Sequence, residues 1–219
     1  MNGESAKLYH SKTFIFLSFA IIKMPDKKIK VEVSNRHVHL SKKHIEELFG
    51  EDYELSFHRE LSQPGQYAAK EKIHLIHEDK KMENVRVLGP SRNETQVEIL
   101  KSDSDFLNLE VPKRLSGILE ESPGIILEGP KGKIKLEKGL IISHRHLHAS
   151  HDDAKKLGVE HNQKIKVRLN TGNNEIILDD VIVRVHESHV LALHIDCDEE
   201  KTCFIDRFGE DCWGEIVEE

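Results

Sequence analysis

Two short segments of the chain carry the same pattern of serine, arginine and histidine. Residues 34–41 are Ser-Asn-Arg-His-Val-His-Leu-Ser, and residues 143–150 are Ser-His-Arg-His-Leu-His-Ala-Ser. Each contains His-x-His, and residues two positions apart in a β-strand point to the same face. Two imidazoles on one face can supply half of the ligands of a tetrahedral zinc ion. The pattern predicts two metal ions, or one shared ion, where two related halves of the chain meet.

A short helix is predicted directly after each histidine pair. The first begins after Ser41, which is suited to the N-cap, and ends at Gly50; the second begins after Ser150 and ends at Gly158. A strand, a histidine pair, a capped helix and a glycine therefore occur twice in the same order. This order indicates an internal duplication.

Most of the remaining chain is typical of short strands separated by turns. Gly-Pro and Pro-Gly turns recur, as at Gly89-Pro90 and Pro123-Gly124. Strands are predicted at residues 29–33, 73–77, 84–88, 96–100, 124–127, 133–136, 140–142, 164–169, 176–178, 181–185 and 190–195. Many short strands at this spacing favour a mainly β fold with barrels over an α/β sheet. Neither G-x-G-x-x-G nor a Walker pattern is present, so nucleotide binding by those routes is not predicted.

Each histidine pair needs a third protein ligand if a catalytic position is to stay open on a zinc ion. For the second pair the candidate is His194, which lies in an apolar strand where an unpaired imidazole would be costly. Asp196 is two residues further on and could orient His194 as an outer carboxylate. For the first pair, Glu98 and Glu71 are both candidates, and their spacing does not decide between them.

Arg92 is the candidate for binding a phosphate group. It follows the turn Gly89-Pro90-Ser91, where a planar guanidinium and backbone amides could face an anion. An ordinary surface arginine in a turn is the alternative. Ser116 has no base beside it in the sequence and is not predicted to be a nucleophile.

Composition and charge describe a globular protein of one large or two small domains. The chain has 219 residues and a net charge of −7, which disfavours a nucleic-acid partner. Its three cysteines lack C-x-x-C spacing, which is typical of free thiols in a reducing cytoplasm. The apolar segment at residues 13–22 is too short to span a bilayer, so no membrane partner is expected. We interpret Met24 as the actual start and residues 1–23 as an extension, with a weak docking peptide and then an export signal as the alternatives.

The sequence around the first histidine pair resembles the beginning of the PduL-type phosphate acyltransferases, the phosphate propanoyltransferase family. The similar segments follow in order: residues 31–41, 61–71 (Leu-Ser-Gln-Pro-Gly-Gln-Tyr-Ala-Ala-Lys-Glu), 86–92 (Arg-Val-Leu-Gly-Pro-Ser-Arg), 95–98 (Thr-Gln-Val-Glu), the second His-x-His, and 193–196 (Leu-His-Ile-Asp). The resemblance covers roughly residues 28–200, and the ordered series of motifs makes it specific.

The resemblance implies two small β-barrels capped by short helices, usually in a homodimer. On this basis residues 26–35 plus 144–213 would form the first barrel and residues 36–143 the second. Residues 1–25 would be a poorly defined N-terminal extension, and residues 214–219 a C-terminal tail. Two zinc ions would lie between the barrels.

The resemblance also assigns the site residues and the reaction. His146, His148 and His194 match the ligands of the zinc ion that meets the sulfur of coenzyme A. His37, His39 and Glu98 match the ligands of the second zinc ion, and Arg92 matches the arginine that contacts phosphate. The implied reaction moves a short acyl group, propanoyl or acetyl, between coenzyme A and phosphate.

Two other functions are compatible with paired histidines. One is a metal-dependent hydrolase of an activated acyl or phosphoryl substrate, although H-x-H-x-D-H is absent because Leu40-Ser41-Lys42 follows His39. The other is a zinc-binding module without enzymatic activity. Residues 1–23 lack a convincing version of the amphipathic peptide that sends some relatives into bacterial microcompartments. A cytoplasmic location is therefore expected, with the microcompartment lumen as the alternative.

Overall fold

The computed structural model describes residues 28–171, 175–203 and 212–217. The predicted extension at residues 1–25, which includes the apolar segment at residues 13–22, lies outside the described residues. Among the described residues, no helix combines the length and the apolar character needed to cross a bilayer.

Strands dominate the described chain. They are β1 (Ile29–Ser34), β2 (His37–Ser41), β3 (Phe57–Glu60), β4 (Tyr67–His77), β5 (Lys80–Arg92), β6 (Gln96–Ile99), β7 (Lys113–Arg114), β8 (Ile126–Glu128), β9 (Lys133–Lys135), β10 (Leu140–Ser143), β11 (His146–Ala149), β12 (Lys164–Asn170), β13 (Glu175–Val185), β14 (Ala192–Asp196) and β15 (Trp213–Ile216). The helices are α1 (Lys42–Phe49), α2 (Lys101–Leu107), α3 (His151–Leu157) and α4 (Cys197–Thr202). The prediction of a mainly β fold with short helices is confirmed.

One group of strands forms a closed barrel in the order β1-β14-β11-β13-β12-β15. Strand β15 closes the ring by pairing antiparallel with both β1 and β12. Its first residue, Trp213, also holds the ammonium of Lys28 4.7 Å from the centre of its ring. Residues 214–216, which the resemblance assigned to a tail, therefore lie in a barrel strand. Leu147, Val167 and Leu193 are fully buried in the barrel core.

The other strands form one sheet in the order β7-β10-β6-β2-β5-β4-β8-β9, with β3 paired to β4. A separate apolar core, which includes Val38, Leu75 and Leu127, packs beneath this sheet with α1. The hydrogen bonds of the described residues do not join β7 to β9. A closed second barrel therefore stays a prediction.

The barrel and the sheet exchange strands. Strand β1 runs directly into β2 of the sheet but pairs parallel with β14 of the barrel. Strand β10 runs directly into β11 of the barrel but pairs with β6 and β7 of the sheet. The chain thus crosses between the two units immediately before each His-x-His. This exchange brings both histidine pairs to the junction of the units.

Helices α2 and α4 are absent from the sequence-based prediction. With seven and six residues, they are too short to display apolar periodicity. Each is instead held by a carboxylate at its third position: Asp103 accepts from the backbone N–H of Leu100 at 3.0 Å, and Glu199 accepts from that of Asp196 at 3.0 Å. These local hydrogen bonds satisfy backbone N–H groups that have no partner within the helix at its start.

Candidate active site

The second histidine pair forms a cluster with His194. His146 and His148 lie two residues apart on β11, and β14 runs antiparallel beside them with His194 directly opposite His146. One potential ligand atom from each of the three residues lies within 4.8 Å of the other two. The Nε2 atoms of His146 and His148 are 3.1 Å apart. The structure therefore brings together the three residues that the sequence singled out for this pair.

The first histidine pair forms an equivalent cluster with Glu98. His37 and His39 lie on β2, and β6 runs antiparallel beside them with Glu98 directly opposite His37. All three side chains are buried, and their potential ligand atoms also lie within 4.8 Å of one another. Glu71 lies elsewhere: it accepts from the Tyr53 hydroxyl at 2.8 Å and from the backbone N–H of Ser56 at 3.1 Å. Of the two candidate carboxylates, the structure thus places Glu98 beside the pair.

The two clusters occupy the same position in the two halves of the chain. In each half, the third side chain lies across an antiparallel pairing from the first histidine. The first histidine also donates from Nδ1 to the carbonyl two residues earlier, at 2.8 Å in both halves: His37 to Asn35, and His146 to His144. A proton held on Nδ1 leaves the Nε2 lone pair free for a metal ion.

The arginine of each repeat has a structural role. Arg36 makes two hydrogen bonds to Asp103, at 2.7 and 2.6 Å, and Arg145 lies 2.9 Å from Glu199. Asp103 is the third residue of α2, which follows the strand that carries Glu98. Glu199 is the third residue of α4, which follows the strand that carries His194. Each arginine therefore ties its histidine pair to the element that carries the third donor.

We predict that Asp103→Asn lowers the free energy of unfolding by about 2–3 kcal/mol, since the guanidinium of Arg36 loses its charged partner. Denaturant titration measures this effect. The control is Asp105→Asn on the same helix. Asp105 pairs with Lys101 at the surface and its side chain is 65% exposed, so a change below about 1 kcal/mol is expected. Equal losses in both variants would contradict the role of Asp103.

Burial and repulsion between neighbouring rings keep His146 and His148 neutral. Burial, with the nearby His194, lowers the pKa of His146 to about 3. Burial, with His146 and His194, lowers the pKa of His148 to about 2. Neutral imidazole is the form that binds metals, so at pH 7 both rings are ready to act as ligands.

In the first cluster, a buried carboxylate lies beside two imidazoles. Burial opposes the charged form of His37, but the carboxylate of Glu98 outweighs this effect and raises the histidine pKa. Burial likewise opposes ionised Glu98, but His37 and His39 hold the carboxyl pKa well below its usual range. A negative donor is thus fixed beside two imidazoles.

Both clusters fit a metal ion. Ligands of tetrahedral zinc at about 2.0–2.1 Å lie roughly 3.3 Å from one another, which is close to the 3.1 Å between the two Nε2 atoms of the second cluster. In the described part of the chain, the buried Nδ1 of His39 has no hydrogen-bond partner. Three histidines, or two histidines and a glutamate, are both known donor sets of catalytic zinc sites.

The Arg92 guanidinium lies beside the first cluster and donates to the hydroxyl of Ser116 at 3.2 Å. Gln96 donates to the same hydroxyl at 2.8 Å and to Glu98 at 2.5 Å, and accepts from the backbone N–H of Gly117 at 2.7 Å. Gln96 was not among the candidates from the sequence, and Ser116 was not predicted to be a nucleophile. The alternation of β6 was the available signal for Gln96, since it lies two residues before Glu98 and shares its face.

The carboxylate beside His194 is Glu32 and not Asp196. Asp196 ends β14, and its side chain caps α4 by accepting from the N–H groups of Asp198 and Glu199, both at 2.8 Å. The sequence interpretation of Asp196 as an orienting group is therefore wrong. Glu32 on β1 lies in register with His194, and its Oε2 is 3.2 Å from the histidine Nε2.

One cavity of about 1440 Å³ between the barrel and the sheet is lined by both clusters and by Arg92. The described residues thus form a mainly β protein whose two structurally equivalent donor clusters face a single cavity.

Comparison with known proteins identifies the class. The family model for phosphate propanoyltransferase matches residues 30–206. A phosphate propanoyltransferase of Thermotoga maritima is 49% identical over 177 residues, which cover 81% of this chain and 84% of the relative. Proteins of the same name from Sebaldella termitidis and Listeria monocytogenes are 44% and 42% identical, over 79% and 80% of this chain and 82% of each relative. The chain belongs to the phosphate propanoyltransferase family and is an acyltransferase enzyme.

Proposed function

We propose that this protein is a zinc-dependent phosphate acyltransferase that converts an acyl phosphate and coenzyme A into acyl-CoA and phosphate, and the reverse. Both donor clusters and Arg92 line a single cavity between the barrel and the sheet, and this is the main observation in support of the proposal. The names of the relatives support propanoyl as the acyl group. Acetyl is the second candidate, because it differs by only one methylene group.

Zinc at these clusters would lower the pKa of a coordinating thiol and polarise the acyl phosphate. His146, His148 and His194 would hold the ion on the coenzyme side. His37, His39 and Glu98 would hold the ion on the phosphate side. Since each cluster offers three protein donors, a fourth position stays open for a substrate atom.

Arg92 would bind the phosphate group. Its guanidinium is half-buried and faces the cavity, and its one hydrogen bond among the described residues goes to the neutral hydroxyl of Ser116. A planar guanidinium can donate two parallel hydrogen bonds to phosphate oxygens. It would thereby stabilise the charge that develops on phosphate as the leaving group.

Acyl transfer would be direct. The thiolate sulfur attacks the carbonyl carbon of the acyl phosphate, the new C–S bond forms, and the C–O bond to phosphate breaks with its electron pair leaving on phosphate. Ser116 is the hydroxyl beside Arg92, but the described residues place no imidazole within hydrogen-bonding distance of it to act as a base. A trapped covalent acyl-protein would contradict direct transfer.

The test is an assay of thioester formation from acetyl and propanoyl phosphate by protein with a measured zinc content. We expect two zinc ions per chain and consumption of acyl phosphate that requires coenzyme A. Equal phosphate release without coenzyme A would indicate a hydrolase. Bound zinc with no reaction in either mixture would indicate a module without enzymatic activity.

We infer a discontinuous barrel domain (residues 26–35 plus 144–213, extended to 216 by β15) and a second domain at residues 36–143, supported by the pairing of β1 with β14. We further propose a homodimer in the cytoplasm or in the lumen of a bacterial microcompartment. Sedimentation of the purified protein tests the homodimer.

A further inference from the structure

A second arginine, Arg184, faces the same cavity from the barrel. Strand β13 pairs parallel with β11, and Arg184 lies in register with His148. Side chains of laterally paired residues point to the same face of a sheet, and both residues line the cavity. No local pattern in the sequence distinguishes Arg184, because the alternation of Val181–Val185 predicts only a strand.

Arg184 has no anionic partner among the described residues. Its backbone carbonyl accepts from His189 Nδ1 at 3.0 Å, but its guanidinium makes neither an ion pair nor a hydrogen bond there. By contrast, Arg36 and Arg145 line the same cavity and are each paired with a carboxylate. Taking a cation out of water without an anion is costly, so a half-buried, unpaired arginine facing a cavity indicates an anionic ligand.

Arg92 approaches the same cavity from the sheet. Burial lowers the pKa of Arg92, the negative charge of Glu98 raises it, and the positive charge of Arg184 lowers it. Burial also lowers the pKa of Arg184, while the negative charge of Glu98 raises it. Glu98 already pairs with His37. Its single negative charge therefore does not balance the positive charges of both arginines. An anion placed between the two arginines would relieve their mutual repulsion.

We propose that Arg184 binds the phosphate group of the acyl phosphate from the barrel side, opposite Arg92 on the sheet side. This inference rests on the proposed function and deepens it. A phosphate group offers oxygens in several directions, so two planar guanidinium groups can donate to it at once. Each unit of the fold then contributes one arginine, and the phosphate lies where the units meet. Both arginines would stabilise the negative charge of phosphate when it leaves.

The test is Arg184→Met in zinc-loaded, full-length protein. We expect the KM for acetyl phosphate and for inorganic phosphate to rise about 10- to 100-fold, the loss expected for one charge-assisted contact. Calorimetric binding of inorganic phosphate without coenzyme A should weaken equally. The KM for coenzyme A should change less than about twofold, and zinc content should stay at two ions per chain. Arg184→Lys should raise the phosphate KM less, because lysine keeps the positive charge but cannot donate two parallel hydrogen bonds from a planar group.

Lys72→Met is the matched control. Lys72 is exposed and lines the same cavity, so this variant also removes one positive charge. We expect its phosphate KM to change less than about twofold, because an exposed charge is screened by solvent. Equal weakening in both variants would assign the effect to the general field of the cavity and overturn the proposal.

Two further outcomes would overturn the proposal. One is normal phosphate binding by Arg184→Met or, if that variant does not fold, by Arg184→Lys. The other is a defect confined to the KM for coenzyme A, which would place the phosphates of coenzyme A at Arg184. Wild-type protein reports on the proposed function separately. Absence of acyl transfer in the wild type would refute that function, whereas normal transfer combined with normal phosphate binding by the variants would refute only the role of Arg184.

Discussion

His146→Ala should lower turnover by about 1000-fold or more while leaving the barrel folded. The ring of His146 lies opposite His194 and 3.1 Å from His148, so its loss removes one of three donors from the second cluster. A metal ion stabilises a reaction's developing charge by several kcal/mol, and a loss of about 4 kcal/mol corresponds to the expected factor. Zinc content should fall from two ions to one per chain, as measured by atomic emission.

His151→Ala is the control for this substitution. His151 is the exposed first residue of α3, close to the second cluster in sequence but outside it. We expect two zinc ions per chain and turnover within about twofold of wild type, because exposed substitutions away from a site have small effects. Near-normal turnover of His146→Ala would show that the thiol is activated elsewhere.

Glu98→Gln should empty the first cluster with little change in shape. Ionised carboxylate is the negative donor of this cluster, and a neutral amide is a much weaker zinc ligand. The new amide would also lie against the side-chain N–H donor of Gln96, which is 2.5 Å from Oε1 of Glu98 in the wild type. We expect zinc content to fall towards one ion per chain and turnover to fall by about 100-fold or more.

Glu71→Gln is a matched control, because it makes the same substitution at the other buried glutamate that the sequence offered. Glu71 binds Tyr53 and the Ser56 backbone instead of the histidine pair. We expect two zinc ions, near-normal turnover and a loss of about 1–2 kcal/mol in the free energy of unfolding. Loss of zinc in Glu71→Gln with retention in Glu98→Gln would reverse the assignment of the two carboxylates.

Local patterns in the sequence are sufficient to predict several parts of this molecule. The two histidine pairs, the helices that begin after Ser41 and Ser150, and the mainly β character all depend on residues close together in the chain. Side-chain alternation in a strand places both histidines of a pair on one face, and a serine at a helix start accepts from the backbone, at 3.3 Å for Ser41 and at 3.1 Å for Ser150. His194 could also be predicted from the sequence, because its neighbours in the strand, Leu193 and Ile195, are apolar.

The tertiary structure decided which distant residues join the histidine pairs. Glu98 rather than Glu71 lies beside His37 because β6 pairs with β2, and no local pattern determines which strands pair over such a distance. The pairing of β1 with β14 of the barrel likewise brings Glu32 to His194. Arg184 faces the cavity only because β13 pairs with β11. Sequence periodicity determined which face each residue takes, and long-range strand pairing, with the burial that accompanies it, determined which faces meet.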